Sequence, residues 1–199
     1  GNGSNTTWIG YKFTSPVCIR KVFIANRNQI DAPRVIKSFK IQGSNDGTNW
    51  TDISGVLNNT GGNVQSATSS YIIDNDNSFI YYRFFVVSVY DTSYCGLGML
   101  QFYSKEDITT SQDAMSLIGK YDYCSNALLS NATWAETIGN SEYFEEVLVP
   151  LIPTMTSNTA PSGEASAYSV YNNGTSLPYK AVDGVATTSE FDAWVGDPN

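Results

Sequence analysis

Carboxylates and thiols are the side chains through which this sequence could do acid–base or nucleophilic chemistry, because its 199 residues include no histidine. Ser-His-Asp, Cys-His and histidine–metal sites are therefore excluded. Glu145 and Glu146 are adjacent on a predicted helix, so their side chains diverge by about 100° and cannot flank one glycosidic bond. Asp74 and Asp76, in IIDNDNS, are typical of a solvated turn. We therefore predict that the chain is not an enzyme.

The three cysteines, Cys18, Cys95 and Cys124, do not form a recognisable site. Their spacing matches no zinc pattern, and three thiols cannot all pair with one another. Each cysteine lies beside apolar residues, which disfavours a reactive or metal-bound thiol. We expect at most one disulfide, and favour three buried thiols.

The net charge of −8 is unevenly distributed. Residues 1–105 carry nine Lys or Arg against six Asp or Glu, whereas residues 106–199 carry two against thirteen. The basic residues of the first part are scattered, so a nucleic-acid surface is not predicted. The two parts, which have opposite net charges, could instead attract one another within one chain or between copies.

Composition favours an extracellular β protein. The chain is 41% hydrophobic, 13% aromatic and only 15% charged, with 16 glycines, a profile better suited to an all-β extracellular protein than to a helical cytosolic enzyme. No apolar run approaches the roughly 18 residues of a membrane span, so membrane insertion is not predicted.

Residues 1–104 show a succession of strand signals. WIGYKF and SFKIQGS alternate apolar and polar residues, and the Asp46-Gly47 pair between SN and TNW is a strong hairpin signal. FIYYRFFVVSVY is apolar on both faces, as expected of a central strand covered on both sides. Short strands separated by turn clusters indicate a sandwich or jelly roll.

Residues 105–153 change to a helical period, with apolar residues three or four apart and a Thr133/Glu136 capping box. Two or three short helices are predicted, and the prolines of VPLIP end the run. Residues 154–199 return to polar, β-type sequence. Their apolar content is too thin for about 46 residues to build a core alone, so this segment must pack on something else.

The tryptophans are assigned to packing rather than to ligand binding. Trp8, Trp50 and Trp194 lie in strand or turn contexts where we expect core packing. Trp134 is expected to seal the predicted helices.

The strand-rich segments resemble a known family. WIGYKFTSPVCIRKVFIANR, SFKIQGSNDGTNW, YYRFFV and GLGMLQFYS are similar to the body of discoidin-type domains, which include the coagulation factor V/VIII type C domains and the carbohydrate-binding modules of family thirty-two. The segment containing YKAVDG is similar to the beginning of that same domain. The two parts therefore stand in swapped order. The segment between them resembles connectors in phage tail-fibre adhesins.

The resemblance implies a mainly β, discoidin-like jelly-roll sandwich, permuted or strand-exchanged, with a small helical insert. In the family the first strands pair with the last, so neither part could satisfy its edge strands alone. We predict that 1–104 form the main body, 105–153 a helical connector, and 154–199 the opening strands. Those strands could complete the sandwich within the chain or in a neighbouring copy, and the sequence could also be one period of a tandem array.

A structural calcium ion is also implied by the resemblance. Family members hold it with the DG loop, a downstream Thr and a Glu of the last strand. Asp183 and Thr188 stand at matching positions, but Met99 replaces the Glu and offers only its backbone carbonyl. The alternative is that Asp183 caps its own loop.

Glycan binding by three converging loops is the third implication. Such a site needs an aromatic face for the sugar ring and polar groups for its hydroxyls. The predicted ligand residues are Arg27 and Asn28, Tyr94, and Tyr171 and Asn173. The alternatives are that Arg27 is solvated or pairs with Asp31, and that Tyr94 packs on the end of the sandwich.

We therefore predict a non-catalytic carbohydrate-binding or adhesion module of a phage tail fibre or microbial surface protein. Its partner would be a cell-surface glycan, and its location extracellular or on a virion. The alternative function is a structural repeat of an extracellular fibre, assembled head to tail by strand complementation and self-association.

Overall fold

A computed structural model describes residues 7–28, 34–90, 94–105, 148–171, 176–185 and 193–196. These residues form β-strands and one short 3₁₀ helix, Pro178–Ala181. The strands are β1 (Trp8–Val17), β2 (Lys21–Asn26), β3 (Ile36–Ser44), β4 (Thr51–Asp52), β5 (Leu57–Asn58), β6 (Thr68–Ile72), β7 (Phe79–Val89), β8 (Cys95–Lys105), β9 (Leu148–Pro150), β10 (Glu164–Ala167) and β11 (Trp194–Gly196). The helices predicted within 105–153 fall almost wholly outside the described residues.

Two antiparallel sheets form the sandwich. One has the strand order β10-β1-β7-β3-β4, with β5 also pairing with β3, and the other contains the order β11-β8-β2-β6. The predicted fold class, a mainly β discoidin-like sandwich, is confirmed. A compact unit comprises residues 1–104 and 150–199, and residues 105–149 form a second unit.

The core lies between the sheets and follows the alternation of the sequence. Ile9, Tyr11 and Phe13 of β1 are buried, as are Phe39 and Ile41 of β3. Polar neighbours such as Lys12 and Lys40 point away from this face, because successive side chains of a strand alternate. The alternation predicted for both segments is therefore confirmed.

Strand β7 is central, as predicted, but it is covered on one face only. Tyr82, Phe84 and Val86 are buried, whereas Tyr81 and Arg83 are only half-buried on the opposite face. The prediction of coverage on both sides was wrong. Among the described residues, the aromatic rings of Trp8 and Trp50 pack beside Arg83 on that outer face.

The C-terminal segment supplies an edge strand to each sheet. Strand β10 pairs antiparallel with β1, and β11 pairs antiparallel with β8 in the same chain. Trp194 of β11 is completely buried, and its indole N–H donates to the Ser169 carbonyl at 3.2 Å. The prediction of core packing is confirmed for Trp194. Tyr11 also ties β1 to this segment, because its hydroxyl donates to the Ser162 carbonyl.

The segment after residue 147 begins in an extended conformation. Leu148, predicted to be helical, lies in strand β9 instead. The amide of Leu151 donates to the Phe102 carbonyl at 2.8 Å. Beside it, the Gln101 side chain donates to the Ile152 carbonyl at 2.9 Å and accepts from the Ile152 amide at 3.0 Å. Backbone and side-chain groups of β8 therefore hold residues 151 and 152 against that strand.

The predicted hairpin joins β3 to β4. Gln42 and Gly43 pair with Asp52 and Thr51, and Gly47 adopts a φ of 74° that favours glycine. The loop is longer than a two-residue turn and is organised by Asp46. Asn49 donates to the Asp46 carboxylate through its side chain at 2.7 Å and its backbone at 2.7 Å, and Thr48 donates at 2.8 Å. These bonds hold the pKa of Asp46 well below its usual range.

Replacing Asp46 with Asn should remove a pH-dependent part of the stability. A carboxyl group with a depressed pKa in the folded state contributes fully above its unfolded pKa, about 3.9, and loses that contribution as the pH falls below it. We expect the Tm difference between wild type and Asp46→Asn to be largest at neutral pH and to shrink below about pH 4. Thermal denaturation over a pH series measures it. A Tm difference that stays constant across the pH series would contradict the depressed pKa of Asp46.

Replacing Trp194 with Ala should destabilise the whole sandwich. A fully buried Trp costs about 3–5 kcal/mol when truncated, because both burial and packing are lost. Urea denaturation of the full chain measures the loss. Tyr168→Ala is the matched control, since Tyr168 is in the same segment but 54% exposed. Equal, small effects for both variants would show that the C-terminal segment does not share the core.

Candidate functional site

Strand pairing brings residues of both chain parts to one end of the sandwich. Tyr94 directly precedes β8, and β8 pairs with β11 through Gly96 and Val195. The Val195 carbonyl then accepts a hydrogen bond from the Tyr171 amide at 2.9 Å. Tyr171 is thereby held beside the start of β8, although 77 positions of sequence separate it from Tyr94.

Tyr94, Tyr171 and Arg34 form a cluster that we call the loop-end site. The two tyrosine rings meet edge to face, with centroids 4.6 Å apart at an angle of 64°. The Arg34 guanidinium lies 4.7 Å from the Tyr94 centroid and 5.4 Å from that of Tyr171. Tyr171 remains 36% exposed. The cluster therefore offers aromatic surface beside a cation with several N–H donors.

The sequence analysis did not identify Arg34. It lies at the end of the loop that follows β2, and its φ of 42° is unusual for a residue other than glycine. Its carbonyl accepts from the Gly96 amide at 3.0 Å, and Val35 bridges to Gly96 in parallel. This attachment places Arg34 beside Tyr94. The signal available in the sequence was only that Arg34 shares a loop with Arg27 and Asn28.

Tyr90 is a second exposed aromatic residue at the same end. Its amide donates to the Val35 carbonyl at 3.0 Å, and its ring is 44% exposed. The sequence analysis did not single it out, because it directly follows the apolar run of β7. It extends the aromatic surface that a ligand could contact.

Arg27 lies within the protein rather than on the surface. Only 4% of it is exposed, and its Cδ atom would be 2.8 Å from a Cβ atom at Gly96. Its neighbour Asn28 is half-buried. Arg27 therefore underlies the start of β8, close to the backbone that carries Tyr94. The ligand roles of Arg27 and Asn28 stay predictions, and Asn173 lies outside the described residues.

A buried amide network holds the strand ends on either side of the loop that contains Arg27. Asn59 donates from its side chain to the Asn26 side chain at 2.8 Å and to the Ile36 carbonyl at 2.9 Å. Asn26 in turn donates to the carbonyls of Gly62 and Val64. Buried amides with several partners resist movement, because any displacement leaves a polar group unsatisfied. The base of the loop-end site is therefore preorganised.

The described residues include only two of the three residues of the calcium site that the resemblance implies. Asp183 accepts a hydrogen bond from the Val185 amide at 2.9 Å, which is the self-capping alternative. Met99 lies in β8 opposite Ala25, and Thr188 is outside the described residues. Within the described ranges no three His, Cys, Asp or Glu side chains form a metal-ligating group. Calcium binds through carboxylate and carbonyl oxygens, and one of the three predicted ligand residues lies outside the described residues. Calcium binding therefore stays a prediction.

The candidate acid–base residues are dispersed. Asp74 and Asp76 are exposed, and Asp76 forms an ion pair with Arg20 at 2.7 Å. This arrangement matches the solvated turn expected from the sequence. Glu145, Glu146 and Cys124 lie outside the described residues, while Cys95 is buried and Cys18 is half-buried.

No helix among the described residues is long and apolar enough to cross a membrane.

Comparisons with known proteins cover about half of the chain. Residues 1–94 match the family model of the F5/8 type C domain. No curated protein matches the chain. Among solved structures, the chain is similar to the C-terminal domain of a chitobiase from Bacteroides fragilis, with a TM-score of 0.33, 20% identity, and coverage of 48% of this chain. The alignment covers 60% of that domain, less than two thirds of its length. In the structure, the segment that matches the F5/8 type C model includes β1 to β7 and ends at Tyr94.

Proposed function

We propose that this chain is a non-catalytic carbohydrate-binding module that binds glycan through the loop-end site. The observation that carries the proposal is the meeting of Tyr94, Tyr171 and Arg34 at one end of the sandwich. The F5/8 type C match supports it, because that family includes carbohydrate-binding modules. Two of these three residues were predicted as ligand residues from the sequence.

The loop-end site has the two kinds of group that a sugar requires. The exposed ring of Tyr171 can pack on the apolar face of a pyranose, and burial of that face is favourable. Arg34 presents N–H groups that can donate to ring hydroxyls. Asn28 and Asn173 are proposed to add further polar contacts, together with Arg27.

We further propose an extracellular location and a role in adhesion on a phage tail fibre or microbial surface. The Asn-, Ser- and Thr-rich composition, low in charged residues, supports an extracellular setting. Glycans on a cell surface would then be the partners. The order of the chain parts is proposed to be a permutation of the family's order, with β10 and β11 as its opening strands.

The alternative, a fibre assembled head to tail, would require exchange of β10 and β11 between copies. In the structure both strands pair within their own chain. Exchange would have to break and remake the same ladders, so the closed chain does not leave β1 or β8 as a vacant edge. Light scattering distinguishes the two, since a closed chain gives a mass independent of concentration.

Tyr171→Ala should weaken glycan binding with little effect on folding. An aromatic contact contributes about 0.5–1.5 kcal/mol beyond area burial, so a loss of about tenfold in affinity is expected. A glycan array identifies the ligand, and calorimetry on the best hit measures the Kd. Tyr94→Ala should act in the same direction, because it removes the ring that supports Tyr171.

Tyr103→Ala is the matched control. Tyr103 is a half-buried aromatic residue of β8 with Lys21 5.4 Å from its ring centroid, so it pairs a cation with a tyrosine outside the loop-end site. The affinity of the Tyr103→Ala variant for the glycan should equal that of wild type. Equal losses in Tyr171→Ala and Tyr103→Ala, or array binding unchanged by Tyr171→Ala, would reject the loop-end site as the glycan site.

A further inference from the structure

A pocket of about 140 Å³ lies on the outer face of the sheet that contains β1 and β7. It shares no residue with the loop-end site. The residues that line it come from four places in the chain: Trp8, Gly10, Tyr11, Gly47, Trp50, Tyr81, Tyr82 and Ser166. Trp8 and Trp50 were predicted to pack in the core, and the structure corrects this prediction. Both are half-buried. Trp8 faces outward because its position in β1 alternates with those of the buried Ile9 and Tyr11. Trp50 directly precedes β4, and its ring packs against the Arg83 guanidinium on the same face.

Gly10 makes room for the pocket. A Cβ atom there would lie 2.9 Å from the Tyr82 carbonyl oxygen and 3.3 Å from a ring carbon of Trp8. With no side chain at this position, the Trp8 ring can lie against the strand and leave the space above Gly10 open. On the other side, a Cβ atom at Gly47 would make only an ordinary contact of 3.5 Å with the Tyr81 ring, so it is the φ of 74° that favours glycine there.

A row of polar side chains crosses this outer face in register. Ser166, Gly10, Arg83, Gln42 and Asp52 are successive partners across five paired strands. Arg83 donates from Nε to the Gln42 side-chain oxygen at 2.6 Å, and Gln42 donates to Asp52 at 2.6 Å. The row therefore fixes the orientation of the Arg83 side chain next to the pocket.

Arg83 also packs against the aromatic rings. Its guanidinium carbon is 4.0 Å from the Trp50 ring centroid and 5.8 Å from that of Trp8. Partial burial lowers the pKa of Arg83, while Asp52 opposes the change, and a guanidinium keeps its charge at neutral pH. Among the described residues its Nη groups make no hydrogen bond to the protein, so they can donate to a ligand.

Charge selects the kind of ligand. Acidic and basic residues on and beside this face balance: Lys12, Lys40 and Arg83 against Asp46, Asp52 and Glu164. Aromatic rings can bind a cationic ligand, but the positive charge of Arg83 would repel one here. An anionic ligand would gain little electrostatic attraction here, because the neighbouring carboxylates already balance the positive charges. The face is therefore suited to a neutral molecule with one apolar surface and several hydroxyls.

We propose that this pocket is a second carbohydrate subsite, which takes one neutral pyranose ring. Trp8 and Trp50 contact the apolar face of the ring, and Arg83 and Ser166 bond to its hydroxyls. The volume suits a single ring, since pockets for drug-sized ligands are about 300–1,000 Å³. The subsite goes beyond the loop-end proposal and does not depend on it, because the two share no residue.

The test is a titration of the full ¹⁵N-labelled chain with neutral sugars, followed by NMR. The probes are the methyl glycosides of glucose, galactose, mannose and N-acetylglucosamine. The indole N–H signals of Trp8 and Trp50, assigned from Trp8→Phe and Trp50→Phe variants, report the outer-face pocket. The backbone amides of Tyr94 and Tyr171 report the loop-end site in the same spectra. We expect at least one sugar to shift both indole signals in a saturable manner.

Ser166→Gln supplies the decisive variant. Gln fills the pocket from its rim on an outward-facing position, so the core is undisturbed, and the indole response should weaken by about tenfold or more. Tyr103→Ala, outside both sites, should leave the response unchanged. The proposal is overturned if no sugar shifts the two indoles, or if Ser166→Gln leaves their titration curves unchanged. Either result is independent of the Tyr94 and Tyr171 signals, so failure of one site is distinguishable from failure of the other.

Discussion

Pairing of the C-terminal strands with the N-terminal body is the constraint on which the rest of the structure depends. Without β10 and β11, strands β1 and β8 would each expose a row of unpaired backbone groups. The core would also lose Trp194, the largest of the fully buried side chains among the described residues. The same pairing sets Tyr171 beside Tyr94, through the Val195 carbonyl. The same strand pairing therefore stabilises the sandwich and positions the two tyrosines of the loop-end site.

Aromatic residues serve two separate purposes in this sandwich. Between the sheets, rings such as Phe39 and Phe84 stack with centroids 4.1 Å apart and exclude water. On the outer face, Trp8 and Trp50 remain partly open to solvent beside the Arg83 guanidinium. A cation above an aromatic ring is favourable yet keeps its remaining donors available. This arrangement lets apolar surface persist outside the core and gives it a capacity for binding.

Polar networks hold the two surfaces rigid at different depths. The Asn26–Asn59 network is buried, so each hydrogen bond there is costly to lose. The row from Arg83 to Asp52 is partly exposed, and its bonds are individually weaker because solvent competes with them. The loop-end site thus rests on a buried network, whereas the outer-face pocket is bordered by a partly exposed one.

Local alternation, turn chemistry and family resemblance were enough to predict the β-sandwich class, the buried faces of β1 and β3, the hairpin at Asp46, and Tyr94 and Tyr171 as candidate residues. The sequence by itself could not reveal Arg34 or the outward position of Trp50. Their neighbours come from strands far apart in the chain, and period-two alternation does not say which face of a sheet meets the core when both are apolar. Only the tertiary structure decided that, because long-range strand pairing fixes which side chains share a face.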